Sequence, residues 1–152
     1  MIQNPTPITA NTFSGMWITN LGVFLPTTEK PKGFIGGNLL PFDGQHLLST
    51  GGQRLFVGDI ATARTTDSNL NAMLIELTTE VKRQAGKTVE PKFVAVNAPD
   101  PSKKVSAQIQ FTDESFYRIP DCFTLCETDS TFAAVFQNVM AQVARLAGLT
   151  VA

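Results

Sequence analysis

Charge is scarce in this sequence. Only 16% of its 152 residues are Asp, Glu, Lys or Arg, against roughly 25% in ordinary soluble domains. Twelve basic side chains balance thirteen acidic ones, so no global basic field draws in nucleic acid or an anionic membrane. Cysteine is limited to Cys122 and Cys126, too few for a disulfide scaffold. Their C-x3-C spacing fits neither a redox C-x-x-C nor a four-ligand zinc site, so no metal is expected. The single histidine, His46, sits in a turn region beside Asp43 and Gln45. Long apolar runs are missing too. The run from Gly15 to Leu25 is broken by Thr19 and Asn20 and falls far short of the roughly 20 residues that span a bilayer. The first charged residue is Glu29, so a positive n-region of a secretion signal is lacking. The expectation is a cytoplasmic protein, or part of a particle assembled inside a cell, without membrane association.

Catalytic sets are equally thin. Asp113-Glu114 and Asp121 could pair carboxylates for acid–base work, but Asp113-Glu114-Ser115 fits a hairpin turn better. Gly36-Gly37 and Gly51-Gly52 match neither a phosphate loop nor a dinucleotide fingerprint. There is no G-x-S-x-G elbow. Nothing joins a nucleophile to a base and an orienting group. Neither an enzyme nor a cofactor is expected.

What is present is enough apolar mass for a core. Hydrophobic residues make up 43% of the chain, which suits one domain of this length. Residues 1–12, with Pro5 and Pro7, read as an extended arm ahead of a single domain over 13–152. Strands are predicted over 16–25, 33–43, 93–97 and 116–119, with Cys122 to Leu125 continuing the last. Leu47 to Thr50 and Arg54 to Val57 read as a short hairpin. Val105, Ala107, Ile109 and Phe111 alternate with polar residues, the clearest strand signal in the chain.

Two helices follow the same grammar. Thr66-Asp67-Ser68 opens the first, and Leu70, Met73, Leu74, Leu77 and Val81 form its stripe up to Gly86. Asp129-Ser130 opens the second, with Phe132, Val135, Phe136, Val139 and Val143 on one face and Gly148 at its end. The segments align without a gap at an offset of 62, with ten identities in 24 positions. Asp59 and Thr62 match Asp121 and Thr124 at the same offset. Capping accounts for Asp, Ser and Gly, but not for the matched Arg83 and Arg145 or the matched Thr-Val pairs. The pattern predicts a duplication with half-repeats 13–89 and 90–152. The fold class is α+β: an antiparallel sheet with two amphipathic helices on one face.

Three functions are weighed. The first is a non-enzymatic, self-associating assembly subunit of a phage-like or other multisubunit particle, a homo-oligomer that also meets other subunits. Its basis is the charge-free arm and the nearly charge-free second helix, which carries only Arg145. Trp17, Phe24, Ala133, Met140, Ala144 and Leu146 are its candidate interface. The second is a single-stranded nucleic-acid-binding module using Lys82, Arg83, Lys87, Lys92, Lys103 and Lys104, with Phe93, Phe111 and Phe116 nearby. The third is a small-ligand binder or enzyme with its site between the halves.

Overall fold

Alternating side chains set the sheet. In the run 21–24, Leu21 and Val23 are buried while Gly22 and Phe24 lie on the opposite face. In 106–111, Ala107, Ile109 and Phe111 are buried and Gln108 is exposed. This period of two is what a sheet covered on one face requires. The computed structural model describes residues 12–13, 16–42, 47–48, 51–98 and 104–148. The strands are β1 (Thr12–Phe13), β2 (Met16–Phe24), β3 (Phe34–Pro41), β4 (Gln53–Gly58), β5 (Pro91–Asn97), β6 (Ser106–Phe111) and β7 (Phe116–Ile119). They form one antiparallel sheet in the order β4-β3-β2-β5-β6-β7, with β1 paired to the start of β2.

Four helices are described: α1 (Ile60–Ala63), α2 (Ser68–Ala85), α3 (Cys122–Thr128) and α4 (Ser130–Leu146). The fold is α+β, with α2 and α4 packed on one face of the sheet. The stripe of α2 is buried as expected, and Glu80 joins it. Asp67 caps α2 by accepting the amide of Leu70 at 3.0 Å. Gly86 closes it at φ 65°, a left-handed conformation that costs glycine no Cβ clash. Asp129 caps α4 by accepting the amide of Phe132 at 3.0 Å. The core runs from Trp17, whose Nε1 donates to the Ala98 carbonyl at 2.8 Å, through Ile35, Met73 and Phe111 to Met140 and Val143.

Three expectations change. Arg54 to Val57 is a strand, and it pairs with β3; of the expected partner, Leu47 makes an isolated bridge to Phe42, and residues 49–50 lie outside the described residues. Cys122 to Leu125 is helix, not strand. Asp121 takes the amides of Phe123 and Thr124 and the hydroxyl of Thr124, which starts a helical turn there. The short α1 was not expected, although Asp59 caps it through Thr62 just as Asp121 caps α3 through Thr124.

The chain traverses the same order twice. Strands β2-β3-β4 precede α1 and α2, and strands β5-β6-β7 precede α3 and α4. The sheet order reads identically outward from the central β2–β5 pair. Arg83 at the end of α2 reaches Asp129 at 2.8 Å, and Arg145 at the end of α4 reaches Asp67 at 3.0 Å.

Candidate interaction surface

With both long helices on one side, the opposite face of the sheet carries, among the described residues, only its own side chains. Strand register sorts them into rows that run across the strands. One row passes through Phe34, Phe24, Phe93, Gln110 and Phe116. The next, two residues along each strand, passes through Phe56, Gly36, Gly22, Ala95, Gln108 and Arg118. The third passes through Arg54, Asn38, Asn20, Asn97 and Ser106. The middle of the face is thus glycine and alanine, with aromatics on one side and amides on the other. Asn38 Nδ2 donates to Asn20 Oδ1 at 3.2 Å and fixes the amide side.

The aromatic rings form a continuous ridge. Phe24 lies 4.3 Å from Phe34 and 4.2 Å from Phe93 between ring centroids, and Phe34 lies 5.6 Å from Phe56. Neighbouring strands are only about 4.8 Å apart. Rings lying flat on the sheet would collide at that spacing, so these stand steeply, face to face along the row. They lean along their strands, so that edges of Phe24 and Phe93 lie over Gly22 and an edge of Phe34 lies over Gly36, while their faces are turned to one another. Phe56 remains 63% exposed, and Phe116, beyond Gln110, 58%.

Beside the ridge lies a hollow of about 230 Å³ over Gly22 and Gly36, walled by Phe24, Phe34 and Phe56 on one side and Asn20, Asn38 and Arg54 on the other. The two glycines differ. A Cβ at Gly22 would come within 3.3 Å of the Phe93 ring, whereas at Gly36 the nearest atom would be 3.8 Å away. Gly22 makes room for a ring of its own chain, whereas a Cβ at Gly36 would meet the Phe34 ring only at ordinary contact distance.

The predicted interface residues divide. Trp17, Met140 and Ala144 are at most 1% exposed and Ala133 is buried with them. The chain's own sheet and helices cover all four, so they offer no docking surface; the correction follows from α4 lying against α2 and the sheet. Leu146 is half-buried at the end of α4, and Phe24 lies at the centre of the ridge. Missed from the sequence were Phe34, Phe56 and the three asparagines. Alternation places each of them on the outer face, but only the pairing of β2 with β3 and β5, and of β3 with β4, aligns them.

The predicted basic patch is largely neutralised. Lys82 pairs with Glu90, Lys87 with Asp113 and Lys92 with Glu114. Arg83 lies between α2 and α4, held by Glu80 and Asp129, which raises its pKa further. Lys104 is exposed, and Lys103 lies outside the described residues, as do His46, Asp43 and Gln45. Phe111 is fully buried with the Lys87 ammonium 5.7 Å above its ring. Lys30, Lys32, Arg54 and Arg118 have no ion pair among the described residues.

The remaining candidates have local roles. Asp113 accepts the amide and hydroxyl of Ser115 and the Lys87 ammonium, which together hold its carboxyl at about 2. Burial pushes the Cys122 and Cys126 thiols up to about 12, so both stay protonated, poor nucleophiles. Between sheet and helices lies a cavity of about 40 Å³, lined almost wholly by apolar side chains. Among the described residues no three His, Cys, Asp or Glu side chains are grouped to hold a metal, and no helix is long and apolar enough to cross a membrane. No protein-family model, curated protein or solved structure matches this chain.

Proposed function

We propose that this chain is a non-enzymatic, self-associating structural subunit that docks through the uncovered face of its sheet. One observation carries the reading: helices cover a single face, and the other bears a continuous ridge of four phenylalanines beside a glycine-floored hollow. A contiguous apolar surface of this kind marks a contact. The face is large enough. Six strands about 4.8 Å apart and about six residues long present roughly 500–600 Å² on each copy, so a pair buries about 1,000–1,200 Å², the lower bound of specific interfaces. A phage-like or other multisubunit particle is a setting that would repeat such a contact.

The nucleic-acid reading draws less support. A base stacks on an aromatic face, and the faces of Phe24 and Phe34 are occupied by neighbouring rings. Four of the five described basic residues first assigned to it are ion-paired. A ligand site between the halves draws less still, because the cavity there is small and lacks converging polar groups.

Light scattering over a range of concentration and salt tests the proposal. The wild type is expected to be an oligomer whose mass does not fall as salt rises. Phe56→Asp, at a position that adds nothing to the core, is expected to lower that mass while the melting temperature holds. A wild type that stays monomeric at every concentration overturns the proposal. A salt-sensitive complex with a single-stranded oligonucleotide would favour the alternative.

A further inference from the structure

Ridge and hollow lie side by side on the same strands, and this makes the face complementary to itself. Resting on the self-association reading, we infer that the partner is a second copy, docked face to face about a two-fold axis that runs across the strands between the two rows. Such an axis lies parallel to the rows and exchanges them. The aromatic row of one copy then sits over the small-residue row of the other, strand above the same strand. Phe34 of one copy lies over Gly36 of its partner, and Phe24 lies over Gly22, against the edge of the Phe93 ring that already leans there; Phe93 lies over Ala95.

The register holds beyond the centre. On β6 it sets the amide of Gln110 against that of Gln108. On β7 it sets Phe116 against Arg118, a cation over a ring rather than two cations together. No acidic side chain belongs to any of the three rows, so the centre of the contact buries no carboxylate. Each contact occurs twice, as an isologous interface requires. The twist agrees as well. Rotation by a half-turn about a line across the strands maps a twisted sheet surface onto itself, so two copies related this way follow each other's curvature.

Gly36 supplies the sharpest reason. Glycine weakens a strand interior and often marks a close approach of another backbone. Among the described residues nothing requires it: its φ is not in the left-handed region, and a Cβ would meet only ordinary contacts, 3.8 Å and beyond. A partner's phenylalanine seated over Gly36 accounts for it.

The test is sedimentation equilibrium with thermal melts of the full chain, comparing wild type, Gly36→Val, Gly36→Phe and the double variant Phe34→Gly/Gly36→Phe. Gly36→Val is expected to hold or raise the melting temperature while weakening association at least tenfold, because it fills the hollow. Gly36→Phe is expected to weaken association similarly. The double variant exchanges large and small at the two positions that the axis superposes, so it is expected to associate more tightly than Gly36→Phe alone. Should Gly36→Val melt early, the comparison of Gly36→Phe with the double variant decides. An oligomeric wild type with no loss in Gly36→Phe and no gain in the double variant overturns this register and leaves self-association standing on another surface. A monomeric wild type overturns both.

Discussion

Asn138 Nδ2 donates to Glu76 Oε1 at 3.3 Å, and the two residues are 62 positions apart. That separation is the offset at which the helical segments align in sequence, so each residue meets its own counterpart. The bond therefore sits on the axis that would exchange the halves. On the sheet, Gly22 pairs with Ala95 at the matching place, flanked by Leu21 with Val96 and Val23 with Val94. The arginines obey the same rule. Arg83 donates to Glu80 and Asp129, and Arg145 donates to Gln142 and Asp67. We propose that the chain arose by duplication of a unit of three strands and two helices. Two crossed clamps, each from the end of one helix to the cap of the other, hold α2 against α4.

The clamps predict an acid limit. Asp129 is held at about 2, chiefly by the Phe132 amide and then by the Arg83 guanidinium, and Asp67 is lowered by the Leu70 amide and then Arg145. Both fold with a pKa below the ordinary value of 3.8. Their stabilisation is thus fully present above pH 4 and lost as pH falls toward 2. Melting temperature against pH should drop through that window. Arg83→Gln should flatten the drop by bringing Asp129 nearer its ordinary value. A melting temperature unchanged between pH 5 and pH 2 would contradict the clamps.

Glu80 is the one buried charged residue described, 3% exposed. It accepts Arg83 Nε at 2.9 Å, whereas its counterpart Gln142 accepts Arg145 Nε at 2.8 Å with a neutral amide oxygen. Glu80 differs in also accepting Arg83 Nη2 at 2.7 Å and Gln84 Nε2 at 2.8 Å through its second oxygen, Oε2. Glu80→Gln keeps one acceptor oxygen and turns the other into a donor, so it should lower the melting temperature by less than Glu80→Ala, which takes the acceptor from all three donors and should lower it by about 3–6 °C. Equal losses in both would show that charge, not the acceptor atom, holds Arg83.

Val139 tests the phase of α4. It is 5% exposed and faces the core, where an unpaired carboxylate costs several kcal/mol. Val139→Asp should leave no cooperative melt, while Val139→Ala should fold with a loss of about 2 kcal/mol. A folded aspartate variant, seen by circular dichroism, would place this face toward water.

Local signals made much of this architecture legible. Asp67 and Asp129 marked the caps, Leu70 to Val81 marked the buried stripe, and Ala107, Ile109 and Phe111 marked a one-sided strand. Each depends on neighbours within a few residues. Failures came where a short signal had two outcomes. Cys122 to Leu125 is apolar enough for a strand, but Pro120 and the Asp121 cap favour a turn of helix. The outer face was not legible, because its rows exist only once Gly22 meets Ala95 and Asn20 meets Asn97, pairs far apart in the chain. The apolar breadth of α4 pointed outward in sequence; in the fold Ala133, Met140 and Ala144 face inward instead.

The cavity follows from unequal halves. Ala107 on β6 pairs with Ile119, as Ile35 on β3 pairs with Val57, and Val57 and Ile119 are related by the same offset of 62. Alanine thus stands where the first half has isoleucine. Cys122 stands opposite Ile60, and Val135 opposite Met73. All three smaller side chains line the cavity of about 40 Å³. The void thus borders three second-half side chains that are smaller than their counterparts, although Phe132 and Phe136, which also line it, are larger than Leu70 and Leu74. Ala107→Val adds volume toward the void and a better strand former, so it should raise stability by about 0.5–1 kcal/mol. Ile35→Ala should create a matching void and cost about 2–5 kcal/mol. Denaturant unfolding of the two variants checks both signs. If Ala107→Val destabilises the chain, the space beside it is too narrow for a methyl group, and the asymmetry of the halves lies in backbone spacing rather than in side-chain volume.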